Sequence, residues 1–258
     1  MMIRITSREN PVVKAVAKLV KSREERREKG LFVCEGEVML KEAVSGGADI
    51  KEVFIRKGKS PDSGLIPQSA AIYEVEDHVL EKISDVKTTR DVIFTCAMPK
   101  GGSLFGERVI VLENVSDPGN VGTIVRTSEA FGMDSVVFLG SCADLYSPKT
   151  IRATMGSVFR VNAVFMEEDE FFLKAQAMGL TVFAAALSPG AQEIYSVDLG
   201  KAAVMIGNEA NGLSKNALDK CDKHVIIPIS GIQSLNAAVA ASVFMYEMAA
   251  CRRRQVKV

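Results

Sequence analysis

From residue 107 onward the chain alternates short apolar runs with helical patterns, and this alternation limits the architecture more than any other feature. Runs at 109–112, 136–139, 159–165, 182–186, 203–206 and 225–229 read as strands. Between them the periodicity reads as helix: a segment ending near Phe131-Gly132, then 148–155, 167–178, and from about 234 to the basic tail. Strands joined through helices lie parallel, because a crossover helix brings the chain back to start each strand at the same end. The strand runs are continuously apolar, as burial on both faces demands. The expected class is α/β with a mostly parallel sheet.

The first hundred residues read as a smaller α/β unit. Asn10 caps a helix with Pro11 at its first position, and Val13, Val16, Ala17 and Val20 give it one apolar stripe. Gly30 is a stop. Strands are expected at 31–34, 53–55, 71–75 and 92–97, and helices at 37–45 and 77–84. Pro99-Lys100-Gly101-Gly102-Ser103 combines chain breakers with little apolar content and reads as a linker. The expected domains are 1–98 and 107–258, joined by 99–106. The last helix is apolar almost all round from Ala237 to Met245. Such a helix needs cover on every side, from a second subunit or from the sheet and another helix of its own chain.

Charge excludes little. The 32 basic residues balance the 32 acidic ones, so no overall field favours a polyanion. Residues 1–30 nonetheless hold nine Lys/Arg against four Glu. Lys14, Lys18, Arg23, Arg26 and Arg27 are candidate phosphate contacts there, and a solvated helix face is the plainer reading of the same charges. Five scattered cysteines without a Cys-x-x-Cys pair indicate a reduced cytoplasmic protein rather than a disulfide scaffold. Cys221 and His224 lack a second ligand pair, and no metal is expected. The N-terminus does not read as a signal peptide, and no apolar stretch is long enough to span a membrane.

Three segments carry chemistry. The first, Asn114 to Arg126, follows a strand and opens a helix; Asn120 suits its N-cap, and Arg126 falls outside the apolar stripe of Val121, Ile124 and Val125. The second is Gly207-Asn208-Glu209-Ala210-Asn211-Gly212-Leu213, directly after a strand, with Ser214 able to cap the next helix. The third runs from Ile227 through Pro228, Ile229, Ser234, Leu235 and Asn236 to Ala237. It opens the last helix, which Ser234 or Asn236 would cap. Ligands of open α/β sheets bind at such strand exits. Each segment alone also reads as an ordinary capped turn.

Taken in order, Asn-x-Gly-x-x-x-Arg, Gly-x-Glu-x-x-Gly-Leu and Ile-Pro-Ile followed by Ser-Leu-Asn resemble the three motifs of the SpoU (TrmH) branch of the SPOUT RNA methyltransferases. Residues 107–254 carry that likeness. Residues 1–97 resemble, less specifically, the L30e-like substrate-binding domain of the family through Asn10-Pro11, Gly30-Leu31-Phe32 and Glu35-Gly36-Glu37. The resemblance implies a C-terminal trefoil-knot domain, a homodimer, and S-adenosylmethionine as methyl donor. It places the donor at Leu187, Gly207, Asn208, Gly212, Ile227, Ile229, Leu235 and Asn236. It also implies a catalytic set of Arg126, Asn120, Glu209 and Ser234 acting on a ribose 2′-hydroxyl of RNA, with ribosomal RNA favoured over transfer RNA. Ala237-Ala238 stands where many members carry a second serine.

Two other readings remain: an RNA-binding or ribosome-assembly protein that keeps the fold without catalysis, and a nicotinamide-dependent dehydrogenase. The second is disfavoured because the first strand–helix turn of the C-terminal half lacks Gly-x-Gly-x-x-Gly.

Overall fold

The computed structural model describes residues 2–60, 63–231 and 234–255. Ile232 and Gln233 of the third segment lie outside these residues. The chain packs as two compact units: residues 1–100 together with 144–160, and residues 101–143 together with 161–258.

The first unit is built from β1 (Met2–Ile5), α1 (Pro11–Lys21), α2 (Arg23–Lys29), β2 (Leu31–Glu35), α3 (Glu37–Ser45), β3 (Ile50–Arg56), β4 (Ala71–Val75), α4 (Asp77–Ile83) and β5 (Val92–Ala97). The sheet order is β1-β4-β3-β5-β2, with β1, β4 and β3 parallel and β5 antiparallel to both its neighbours. Its core joins Val13, Val16 and Val20 of α1 to Leu80 and Ile83 of α4 and to Phe54 and Ile93 of the sheet.

Asn10 caps α1 as the sequence predicts, accepting from the Val12 amide, and Gly30 ends α2 with φ +62°. The helix expected to run unbroken to Gly30 is interrupted at Ser22, which is extended and caps α2 through the Glu25 amide. The sequence did not predict β1, where Met2, Ile3 and Arg4 are exposed at the sheet edge and only Ile5 is buried.

The second unit contains β6 (Arg108–Glu113), α5 (Pro118–Ala130), β7 (Ser135–Leu139), β8 (Ala163–Phe165), α7 (Glu168–Ala177), β9 (Thr181–Ala185), β10 (Gln192–Glu193), β11 (Ala202–Ile206), α8 (Lys215–Lys220), β12 (Lys223–Ile226) and α9 (Ala237–Gln255). All its strand pairs are parallel, in the order β10-β12-β9-β11-β6-β7-β8. Strand β11 returns to the slot between β6 and β9, and β12 enters between β9 and β10. One face packs on Phe171 and Ala175 of α7 and Ala217 of α8. On the other, α9 packs against α5, β11 and β6.

The remaining helix, α6 (Pro148–Thr154), falls within 144–160 and so belongs to the first unit, although a linear reading assigns it to the C-terminal half. The strand expected over 159–165 is reduced to β8, because Met155 and Gly156 both adopt left-handed backbone and Ser157–Phe159 forms a single 3-10 turn. Tyr146 and Phe159 then lie on the Phe32 ring, with centroids 5.0 and 6.2 Å away.

The same segment explains a correction. Arg26, expected as a phosphate contact, is only 4% exposed. Its Nε and Nη2 donate to Asp144 Oδ2 at 2.9 and 2.6 Å, and Nη1 donates to the Leu19 and Val20 carbonyls at the end of α1. A buried guanidinium so committed is structural and presents no donor to a ligand.

Candidate active site

The site forms where β6, β11 and β12 of the second unit end. The loop after β6 leads into α5, and its cap differs from the expected one. Asp117, not Asn120, is the N-cap: its side chain accepts from the Asn120 amide at 2.8 Å, and Pro118 takes the first helical position. The Asn120 side chain is thereby released from capping. Its Nδ2 donates to Glu209 Oε1 at 2.7 Å, and its Oδ1 accepts from Asn236 Nδ2 at 3.0 Å. One residue from each of the three segments thus meets in a single polar chain. Asn236 also caps α9, its Oδ1 accepting from the Ala238 and Val239 amides at 2.9 and 3.2 Å.

Glu209 sits on a tight loop after β11. Asn208 and Gly212 exchange backbone hydrogen bonds at 3.0 and 2.9 Å. A Cβ on Gly207 would stand 2.2 Å from the Gly212 carbonyl carbon, so only glycine lets the loop close on itself. Ser214 caps α8 as the sequence predicts, and its amide donates to the buried Glu113 at 2.8 Å. Burial pushes the Glu209 carboxyl up. The hydrogen bond from Asn120 and those from the backbone of Glu209, Ser116 and Asp117 outweigh it and leave the pKa below 4.5. At neutral pH Glu209 is therefore an acceptor and cannot give up a proton.

Beside this polar chain lies an apolar cavity at the exits of β9 and β12. Ala185, Ala186, Leu187, Ile227, Ile229, Ser234, Leu235 and Phe244 line it. Five expected residues (Leu187, Ile227, Ile229, Ser234 and Leu235) come together here. Leu187 and Ile229 are 73% and 37% exposed, leaving apolar surface at the rim. Gly207, Asn208 and Gly212 are not among its lining residues. Ser234, expected with the catalytic set, lines the cavity, and Asn236, expected with the donor set, joins Asn120. Sequence reading missed Ala185 and Ser116, whose only signal was proximity to strand exits, and Phe244, which lies within α9. Ser116 Oγ lies 3.5 Å from Glu209 Oε2.

Arg126 is exposed on α5 and makes no hydrogen bond or ion pair among the described residues. Glu209 does not orient it, being engaged with Asn120 instead. Lys14 pairs with Glu9 and Lys18 with Glu25 on the first unit, where both line a groove with Lys21, Lys82 and three glutamates. At the other residue pair weighed for a metal, both His224 ring nitrogens are occupied. Nδ1 is 2.5 Å from Ser188 Oγ and Nε2 is 3.1 Å from the Leu218 carbonyl. Burial, with Asp222 nearby, pushes the Cys221 thiol up to about 12.

Comparison with known proteins agrees with this geometry. Residues 10–93 match the MRM3-like substrate binding domain. Over 96% of the chain and 99% of that protein, the sequence is 31% identical to the 23S rRNA (guanosine(2553)-2′-O)-methyltransferase RlmP of Bacillus subtilis. It is 26% identical to the mitochondrial rRNA methyltransferase 3 of Mus musculus, over 95% of the chain and 72% of that protein. An AdoMet-bound rRNA methyltransferase from Sinorhizobium meliloti superposes with a TM-score of 0.87 at 28% identity, covering 98% of each chain. Residues 107–246 match the SpoU rRNA Methylase family, and with three separated segments meeting at one site on a parallel SPOUT sheet, the chain belongs to that family.

Proposed function

We propose that this chain transfers a methyl group from S-adenosylmethionine to a ribose 2′-hydroxyl of ribosomal RNA. The observation that carries this is the Glu209–Asn120–Asn236 chain beside an apolar cavity, with an exposed arginine, unpaired among the described residues, on the same helix as Asn120. The cavity suits the donor. Leu187, Ile227, Ile229 and Leu235 give apolar walls for a purine, and the strand exits offer backbone groups to its edge. Bound there, the donor supplies an electrophilic methyl on a sulfonium.

The chain's own residues then have to place an oxygen in line and lower the cost of its proton loss. Asn120, held between Glu209 and Asn236, has its amide fixed in one orientation. Glu209 remains ionised and locks that orientation. A guanidinium carries hydrogen-bond donors and no acceptor, so Arg126 is not the base. It grips the phosphate next to the reacting ribose and stabilises charge growing on the oxygen. With the donor bound, the oxygen would take the methyl carbon as the carbon–sulfur bond breaks and the sulfur leaves as a neutral thioether, and the hydroxyl proton would pass to that phosphate or to water.

RNA is held by the first unit through Lys14, Lys18, Arg23 and Arg27 of its 1–98 part. A second copy of the chain covers α9, where Val239 and Tyr246 are 50% and 56% exposed seven residues apart on one face. The enzyme works without a metal.

The test is incubation with labelled S-adenosylmethionine and ribosomal RNA from cells lacking the protein. Label at one ribose 2′-oxygen is expected. Binding of both partners without transfer favours the non-catalytic assembly protein, and label entering transfer RNA alone overturns the substrate. Arg126→Lys separates the roles of the arginine: near-normal activity removes the bidentate phosphate grip.

A further inference from the structure

We infer, resting on the methyltransferase reading above, that Asn114 is a positioning residue: it ties three strand-exit loops together and so holds Glu209 against Asn120.

Asn114 follows β6 and has φ +55°, which among the described residues it shares only with Met155 outside glycine. L side chains enter this region at a cost, and Asn tolerates it better than most. The conformation is used in both directions. Asn114 Oδ1 accepts from the Ser141 amide at 2.7 Å, beyond the end of β7. Its backbone carbonyl accepts from Asn208 Nδ2 at 2.9 Å, beyond the end of β11. The β7 loop is shaped to admit the side chain: a Cβ on Gly140 would lie 2.5 Å from Asn114 Oδ1.

Asn208 passes the constraint on. Its Oδ1 accepts from the Ala210 and Asn211 amides at 2.9 and 3.2 Å, which curls the loop around Glu209. Glu209 then reaches Asn120 at 2.7 Å, and the Ser116 and Asp117 amides, on the turn that Asn114 starts, also donate to its carboxylate. The left-handed turn at 114 therefore sets the loop that carries Glu209 and the turn that donates to it. None of these hydrogen bonds involves a residue lining the apolar cavity. Loss of the hub should lower transfer while sparing donor binding.

Three variants decide this. Asn114→Gly keeps the left-handed turn and removes the side-chain acceptor. Asn114→Asp keeps the acceptor. Asn208→Ala removes the bond to the carbonyl. Methyl transfer to ribosomal RNA, donor Kd by calorimetry, and amide hydrogen exchange over 207–212 are read for each. Asn114→Gly is expected to lower kcat by roughly tenfold to a hundredfold, the scale of a small misplacement of reacting groups. It should leave donor Kd unchanged and speed exchange over 207–212. Asn114→Asp restores most of the loss. Asn208→Ala combined with Asn114→Gly costs no more than the worse single variant, because both cut one path.

Wild-type kcat and unchanged exchange in Asn114→Gly overturn the inference. So does a parallel loss of kcat and donor affinity that Asn114→Asp fails to restore, since that marks a plain folding role. If the wild-type chain transfers no methyl to ribosomal RNA, the functional reading fails. The exchange measurement then decides by itself whether Asn114 holds the loop.

Discussion

On the first unit, Lys14 lies 2.6 Å from Glu9 and Lys18 3.3 Å from Glu25. On α5 of the second unit, Arg126 has no such partner among the described residues. Two cationic surfaces proposed to meet phosphate are therefore prepared differently. A phosphate reaching the α1 face must displace carboxylates already in place, so each lysine contributes only the difference between two exposed pairings. A phosphate reaching Arg126 meets a guanidinium with its donors unspent. The first arrangement suits loose gripping of a large RNA, and the second suits a contact whose full strength is kept for the reacting group.

Four measurements break or sharpen that contrast. The largest effect is expected at Arg26, the cation on the first unit that belongs to neither class. Arg26→Ala strands Asp144 and the end of α1, and should cost about 3–5 kcal/mol in urea unfolding. A small loss there, with weakened RNA binding instead, would return Arg26 to the gripping surface. Next, Arg126→Ala should lower kcat/KM by roughly a hundredfold to a thousandfold, the scale of losing one charge-stabilising donor, with donor Kd unchanged by calorimetry. Lys14→Ala or Lys18→Ala should weaken RNA binding by less than about 1 kcal/mol each. The pair changed together should flatten the salt dependence of RNA binding; an equal slope in wild type and double variant would remove both from the interface.

The smallest effect is a pH dependence. Glu209 has a lowered carboxyl pKa in the folded chain, so its stabilisation is fully present above the ordinary value of 4.5 and fades as pH falls through the lower folded value. The gap in thermal midpoint between wild type and Glu209→Gln should therefore close on acidification below that ordinary value. A gap that stays constant would mean the carboxylate is not held by Asn120.

What the sequence made legible was local. Most strands of the parallel sheet and the caps at Asn10 and Ser214 depend on neighbours within a few residues and were readable, whereas the two-residue β10 was not and β8 was read too long. The cap of α5 was misassigned because Asp117 and Asn120 are both good capping types three residues apart. What separates them is Glu209, 89 positions away from Asn120. Arg26 failed in the same way, since its carboxylate partner lies 118 residues on. Motif order gathered the right segments into one site. It could not say that Ser234 would face the apolar cavity while Asn236 joined Asn120, because a loop's direction is set by packing that no short motif encodes.

The segment 144–160 has a practical consequence for anyone who wishes to take the molecule apart. The polypeptide passes between the two units three times, at 100/101, 143/144 and 160/161. Cutting at the glycine-rich stretch after Lys100 would yield a front piece without Asp144 to neutralise Arg26 and without the rings that cover Phe32. Excised pieces and chimaeras that swap front ends must carry this strap along, or replace its ion pair with apolar residues of similar volume. Shuffling of front ends by simple fusion at that stretch would meet the same barrier.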